Sequence, residues 1–233
     1  MYHYAGNNPV RYIDPDGREA GYIQNENSVF YFGHAGLFVK TETGYSFFEV
    51  RGLTKDEIKN GRANGYENSI ILSHSKMILP SASSKKGSNS LSVASGGEGV
   101  CWDAGVVQIN FSNKTELLDY LRNNGSNDGF DSYIRFITSP TQDKTIYETA
   151  VRMGKEFAHY AAIGNSCGIW ARDVLTSKDT GIEPFDLFKY MFLKYKNNMN
   201  KFNIEAIIRE NAPNAIGEEL LLANPSASRI RLR

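Results

Sequence analysis

Residues 29–52, VFYFGHAGLFVKTETGYSFFEVRG, constrain the fold more tightly than any other stretch of the chain. Two runs of β-branched and aromatic residues flank Thr41-Glu42-Thr43-Gly44. Such side chains fit a pleated, half-buried surface, and a short glycine-containing connection between two of these runs closes a β-hairpin. Side chains alternate across a strand, so the pattern also predicts which residues share a face. His34 opens the first strand, and Glu49 and Arg51 fall together on one face of the second. With 233 residues, 41% of them hydrophobic, the chain carries enough apolar material for one substantial core, or a core and a small appendage.

Further strands are expected at NSIILS (68–73), VVQINF (106–111) and SYIRFIT (132–138). A polar segment containing Asp56-Glu57 follows the hairpin. Residues 80–99, PSASSKKGSNSLSVASGGEG, read as a mobile loop because Ser, Gly and Lys cannot build a packed face. Asn113-x-x-Glu116 marks a helix start and Asn124-Gly125 a stop. Ser139-Pro140-Thr141 opens a longer helix, with Ile146, Ala150, Met153, Phe157 and Ala158 at three- and four-residue spacings and an end near Ile163-Gly164. Another begins at Ser166 or Cys167, with Ile169, Trp170, Val174 and Leu175 facing inward. Three more helical stretches are expected at about 183–197, 203–210 and 215–223, before a tail, NPSASRIRLR, that reads as frayed. Strands lie early and helices late, with no internal repeat. The order predicts an α+β fold, an antiparallel sheet with helices packed on it.

Composition removes several functions. Lys+Arg 26 against Asp+Glu 26 leaves no net charge to attract a polyanion, so nucleic acid is not an expected partner. No apolar run reaches the roughly 18 residues of a membrane span, and no basic, apolar leader opens the chain. Two cysteines, Cys101 and Cys167, are too few for a disulfide framework, and the four histidines (His3, His34, His74, His159) show no metal-ligand spacing. No cofactor is implied.

The chemistry-bearing residue is Cys167 in GNSCGIWARDVL. A helix start favours a thiolate through its unpaired N–H groups and dipole, and a catalytic thiolate needs a base such as histidine. His34, at the mouth of its strand, is the candidate base, and Glu49 can orient the imidazole. Each also has a plainer reading: a buried structural cysteine, a satisfied core histidine, a solvated strand carboxylate. Cys101, His159 and His74 are the competing candidates. Cys101 lacks a helix start, His159 sits among aromatics at a helix end, and His74 is undecided between surface and cleft.

Two resemblances sharpen these expectations. YAGNNPVRYIDPDG, within residues 1–17, resembles the closing segment of the Rhs/YD-repeat core of polymorphic bacterial toxins. It implies that 1–17 end an Rhs core and that 18–233 form the toxin domain of a delivered effector, with Met1 either a natural start or, the favoured reading, a truncation of a longer Rhs protein. FGHAGLFV, followed late by SPTQDKTIYETAVRMGKEFAHYAAIGNSCGIWARDVL, resembles the circularly permuted papain-like enzymes, which include NlpC-type cell-wall hydrolases and lecithin:retinol acyltransferase-like proteins. That resemblance implies a permuted papain-like core with additional C-terminal helices (183–223). It makes Cys167 the nucleophile, His34 the base and Glu49 the orienting residue. The chain has Asn165-Ser166-Cys167 where the family has adjacent Asn-Cys, and residues between NSIILS and SYIRFIT read as an insertion. The implied activity is a cysteine amidase or peptidase acting on peptidoglycan or a protein of a target cell. The implied partners are an immunity protein and the Rhs cage. Lipid acyl hydrolysis or transfer lies within the same fold, and a nuclease or ADP-ribosyltransferase toxin or a non-catalytic binding tip are the readings from other classes.

Overall fold

The computed structural model describes residues 18–25, 34–77, 102–123, 129–158, 166–185 and 212–232. In chain order these form β1 (Glu19–Asn25), β2 (His34–Thr41), β3 (Gly44–Leu53), α1 (Lys55–Asn60), β4 (Ser69–Met77), β5 (Trp102–Phe111), α2 (Lys114–Asn123), β6 (Ser132–Ile137), α3 (Pro140–Lys155), α4 (Cys167–Leu175), α5 (Pro213–Ala223) and β7 (Ser228–Arg231). The seven strands make one sheet in the order β4-β5-β3-β2-β1-β6-β7, with every neighbouring pair antiparallel. The fold is α+β, as the order of strands and helices predicts.

The hairpin forms where the sequence places it. Thr41 pairs with Gly44 across a two-residue turn, and Leu37 with Phe48 along the ladder. Alternation then sorts the side chains into two cores. Ala35, Leu37, Val39, Phe48 and Val50 join the buried inner residues of α3, α4 and α5 on one face. Phe38, Tyr45 and Phe47 join Leu117, Tyr120 and Leu121 of α2, with Phe130, on the other. Both faces of the central strands are therefore dry, which explains why the hairpin reads as a near-continuous apolar run.

One strand was not anticipated, and three expectations change. Residues 19–25, EAGYIQN, carry no strand signal, yet β1 is a fully buried central strand between β2 and β6. Its Gly21 leaves room for the Phe38 ring, which a Cβ would meet at 2.2 Å, and its buried Glu19 is paired with Lys114 of α2 at 2.5 Å. The polar segment after the hairpin contains α1, started by a Thr54–Glu57 capping box. The tail does not fray: residues 228–231 pair with β6, and Leu232 is buried in the α2-side core. The region read as an insertion contains β5, formed on the expected VVQINF strand, and β5 fills the space between β3 and β4, so this part belongs to the sheet.

The long helix α3 has the expected Ser139 cap and Pro140 start, but it ends at Lys155 rather than near Ile163. Beyond Gly154 the chain turns, the Phe157 N–H bonding to the Gly154 carbonyl, and Phe157 packs into the core. The expected helix at 215–223 is α5. Residues 183–185 form no regular element. The rest of the 183–197 stretch, 203–210, the 80–99 loop and the 1–17 segment lie outside the described residues.

Candidate active site

Helix α4 sets the position of the thiol. Ser166 is its N-cap, the hydroxyl accepting the Ile169 N–H, and Cys167 is its first residue. Ile169, Trp170, Ala171, Val174 and Leu175 are buried against the sheet, which fixes the helix along β2 and β3. Ser166 thus occupies the place between Asn165 and Cys167 as the cap itself, a role serine fills well. Asn165 lies outside the described residues.

Cys167 is a free, buried thiol. Its sulfur lies beside the His34 ring and close to the N–H groups of Ala35, at the start of β2, and Gly168, in its own helix, all of which favour the thiolate. The sulfur thus sits at the end of β2, where His34 begins the strand. His34 Nε2 lies 3.1 Å from Glu49 Oε2. With Nε2 committed to the carboxylate, Nδ1 is the nitrogen left for the sulfur. The imidazole also stacks on Phe130, with ring centroids 5.6 Å apart and 22° between planes.

Strand pairing brings Glu49 to the histidine. Glu49 stands opposite Gly36, two residues along from His34 and on the same face. Gly36 is required there by crowding: a Cβ would meet the Phe48 carbonyl oxygen at 2.8 Å and the Phe47 ring at 2.9 Å. On its far side Glu49 Oε1 takes Arg51 Nε at 2.9 Å and a long contact from the Tyr120 hydroxyl at 3.5 Å. Cys167, His34 and Glu49 are all at least nine-tenths buried.

The electrostatics follow from this stack. Burial disfavours the charged imidazolium, but the Cys167 sulfur and then Glu49 outweigh it and raise His34 to about 10. Burial likewise pushes the Cys167 thiol up. The His34 charge and hydrogen bond, with the N–H groups of Ala35 and Gly168, outweigh it and bring the thiol below its ordinary value. The two groups favour a thiolate–imidazolium pair, with Glu49 completing the line. Burial and Glu49 together raise the phenols of Tyr120 and Tyr66, which face Glu49 from the other side.

Of the residues singled out in the sequence, Cys167, His34 and Glu49 therefore come together. His74 does not: it is exposed on edge strand β4, separated from β2 by β5 and β3. Cys101 and His159 lie outside the described residues. The sequence reading missed the parts played by Phe130, Tyr120 and Arg51. Only Arg51 had a signal, through its shared face with Glu49. Among the described residues no group of three or more His, Cys, Asp or Glu is arranged to hold a metal ion, and no helix is long and apolar enough to cross a membrane. A surface cavity of about 430 Å³ lies against Tyr120, between Tyr66, Phe111 and Glu116, and is not lined by Cys167. In comparisons with known proteins the chain matches no family model, no curated protein and no solved structure.

Proposed function

We propose that this chain is a cysteine-dependent acyl-transfer enzyme, a hydrolase of amide or peptide bonds, with Cys167 as nucleophile, His34 as acid and base, and Glu49 as the residue that orients His34. The observation that carries the reading is the buried line from Cys167 through His34 to Glu49 at the start of a helix. A structural cysteine has no need of an imidazole, two N–H donors and a carboxylate aligned behind it.

The cycle balances with these groups alone. The Cys167 thiolate attacks the carbonyl carbon and forms a C–S bond, and the carbonyl oxygen takes the negative charge. The Cys167 N–H, one of the helix-start groups without an intrahelical acceptor, is the donor for that oxyanion. The C–N bond breaks as His34 gives its Nδ1 proton to the departing amine. Water then adds to the thioester and passes a proton to His34. The C–S bond breaks, releasing the carboxylic acid and restoring the thiolate–imidazolium pair.

The order of the site residues, an early strand histidine and a late helix-start cysteine, supports a circularly permuted papain-like arrangement. The Rhs-like residues 1–17 support a toxin delivered into a target cell as the end of a larger effector, with peptidoglycan or a protein as substrate. An immunity protein and the parent cage are its partners on this reading. The test is expression of the chain in a bacterium, directed either to the cytoplasm or to the periplasm, beside Cys167→Ala. Growth arrest that the substitution abolishes at equal protein level supports the reading, and arrest that survives it overturns the cysteine mechanism.

A further inference from the structure

We infer that Arg51 is a positioning residue of this site: its guanidinium clamps the outer oxygen of Glu49, so that the inner oxygen stays on His34. The inference rests on the Cys167–His34–Glu49 reading proposed above.

The geometry runs outward from the imidazole in fixed steps. Glu49 accepts from His34 at Oε2 and from Arg51 Nε at Oε1, at 3.1 and 2.9 Å. The other end of the guanidinium forks onto Glu57, Nη2 to Oε1 at 2.7 Å and Nη1 to Oε2 at 3.3 Å. Nη1 also donates to the Gly52 carbonyl at 2.9 Å. Glu57 is itself held: the Thr54 N–H and hydroxyl donate to Oε2 and the Asn64 N–H to Oε1. The start of α1 thus anchors Glu57, Glu57 anchors Arg51, and Arg51 anchors Glu49. Both carboxylates are buried while the arginine keeps a partly exposed edge, side-chain exposures being 3%, 4% and 23%. This is not a solvated surface pair.

The consequence for the thiol follows from charge. Glu49 is faced by His34 from β2, Arg51 from its own strand, Tyr120 from α2 and Tyr66 from the loop before β4, with Glu57 of α1 behind Arg51 and Cys167 of α4 beyond the imidazole. Arg51 is the cation that holds the outer oxygen of Glu49, on the side away from His34. Without it the outer oxygen keeps only the long Tyr120 contact, the carboxylate can turn away from the ring, and a turned Glu49 supports the imidazolium less. A weaker imidazolium in turn supports the thiolate less, so the pH at which Cys167 becomes reactive must rise. Lysine supplies the charge but not the fork, so it cannot hold Glu49 and Glu57 in the same geometry.

The experiment measures the alkylation rate of Cys167 in the full chain with iodoacetamide over a range of pH, read by mass spectrometry of the Cys167 peptide, with circular dichroism as the check on folding. In the unsubstituted protein the acid limb of the profile lies below 9. Arg51→Gln is expected to move that limb upward by no more than about one unit, the low end of what a directly adjacent charge does, because it acts through Glu49 and His34. Arg51→Lys, which keeps the cation and guards against a variant that fails to fold, is expected to lie between the two. Folded variants whose limb coincides with that of the unsubstituted protein overturn the inference and leave the Cys167–His34 reading standing. An unsubstituted protein whose limb lies near 9 overturns that reading, and the inference with it.

Discussion

At the scale of single residues the account depends on two titrations that lean on each other. The His34 ring is raised to about 10 against the lowering effect of burial, chiefly by Cys167. Removing the sulfur leaves burial opposed by Glu49 alone. Cys167→Ala is therefore expected to bring the His34 titration down from about 10, followed by NMR of the ring protons; an unchanged value means that the sulfur does not act on the ring. The linked stability has a definite sign. A raised histidine stabilises the fold fully below its unfolded value of about 6.5 and loses that contribution as the pH climbs through about 10. These residues were legible in the sequence because their signals are local: a helix start for Cys167, a strand mouth for His34, alternation for Glu49. Phe130 was not legible, because what makes it matter is a ring stacked on it from a distant strand.

At the scale of elements, the β2–β3 ladder is the part that sets the site geometry. Gly36→Ala places a Cβ against the Phe48 carbonyl at 2.8 Å, and a backbone atom in a central strand has little freedom to give way. The strands must part slightly. The expected results are a loss of about 1–3 kcal/mol in chemical denaturation and slower Cys167 alkylation, because Glu49 stands directly opposite the altered residue. Stability and reactivity both unchanged would mean that the register is looser than described. This hairpin was readable from apolar alternation and a two-residue turn. Strand β1 was not, since Glu19, Gly21, Gln24 and Asn25 are poor strand formers, and it is tertiary pairing on both edges that holds them extended. Helix α1 carried a readable sign, Thr54-x-x-Glu57, in a segment that looks merely polar.

At the scale of the whole molecule, the sheet is completed by residues distant in sequence, and that closure is what the sequence hides most. The last strand, β7, pairs with β6, and the Leu232 N–H bonds to the Asp131 carbonyl, one residue from Phe130 and so close to the ring under His34. Removal of residues 225–233 is expected to cost about 2–4 kcal/mol, comparable to deleting one buried large side chain with its contacts. A frayed end would leave the thermal midpoint where it was. The α+β class was legible because strands precede helices, whereas the position of β5 inside the sheet was not, because a long segment separates it from β3 in sequence. The central claim, that this architecture holds Cys167 as a thiolate beside an imidazolium, is tested most directly by the ultraviolet absorbance of the thiolate. The measurement is a pH titration of the difference between the unsubstituted protein and Cys167→Ala. The account predicts that the Cys167 signal appears with a midpoint below 9, the ordinary value of the thiol. A midpoint at or above 9 would contradict it.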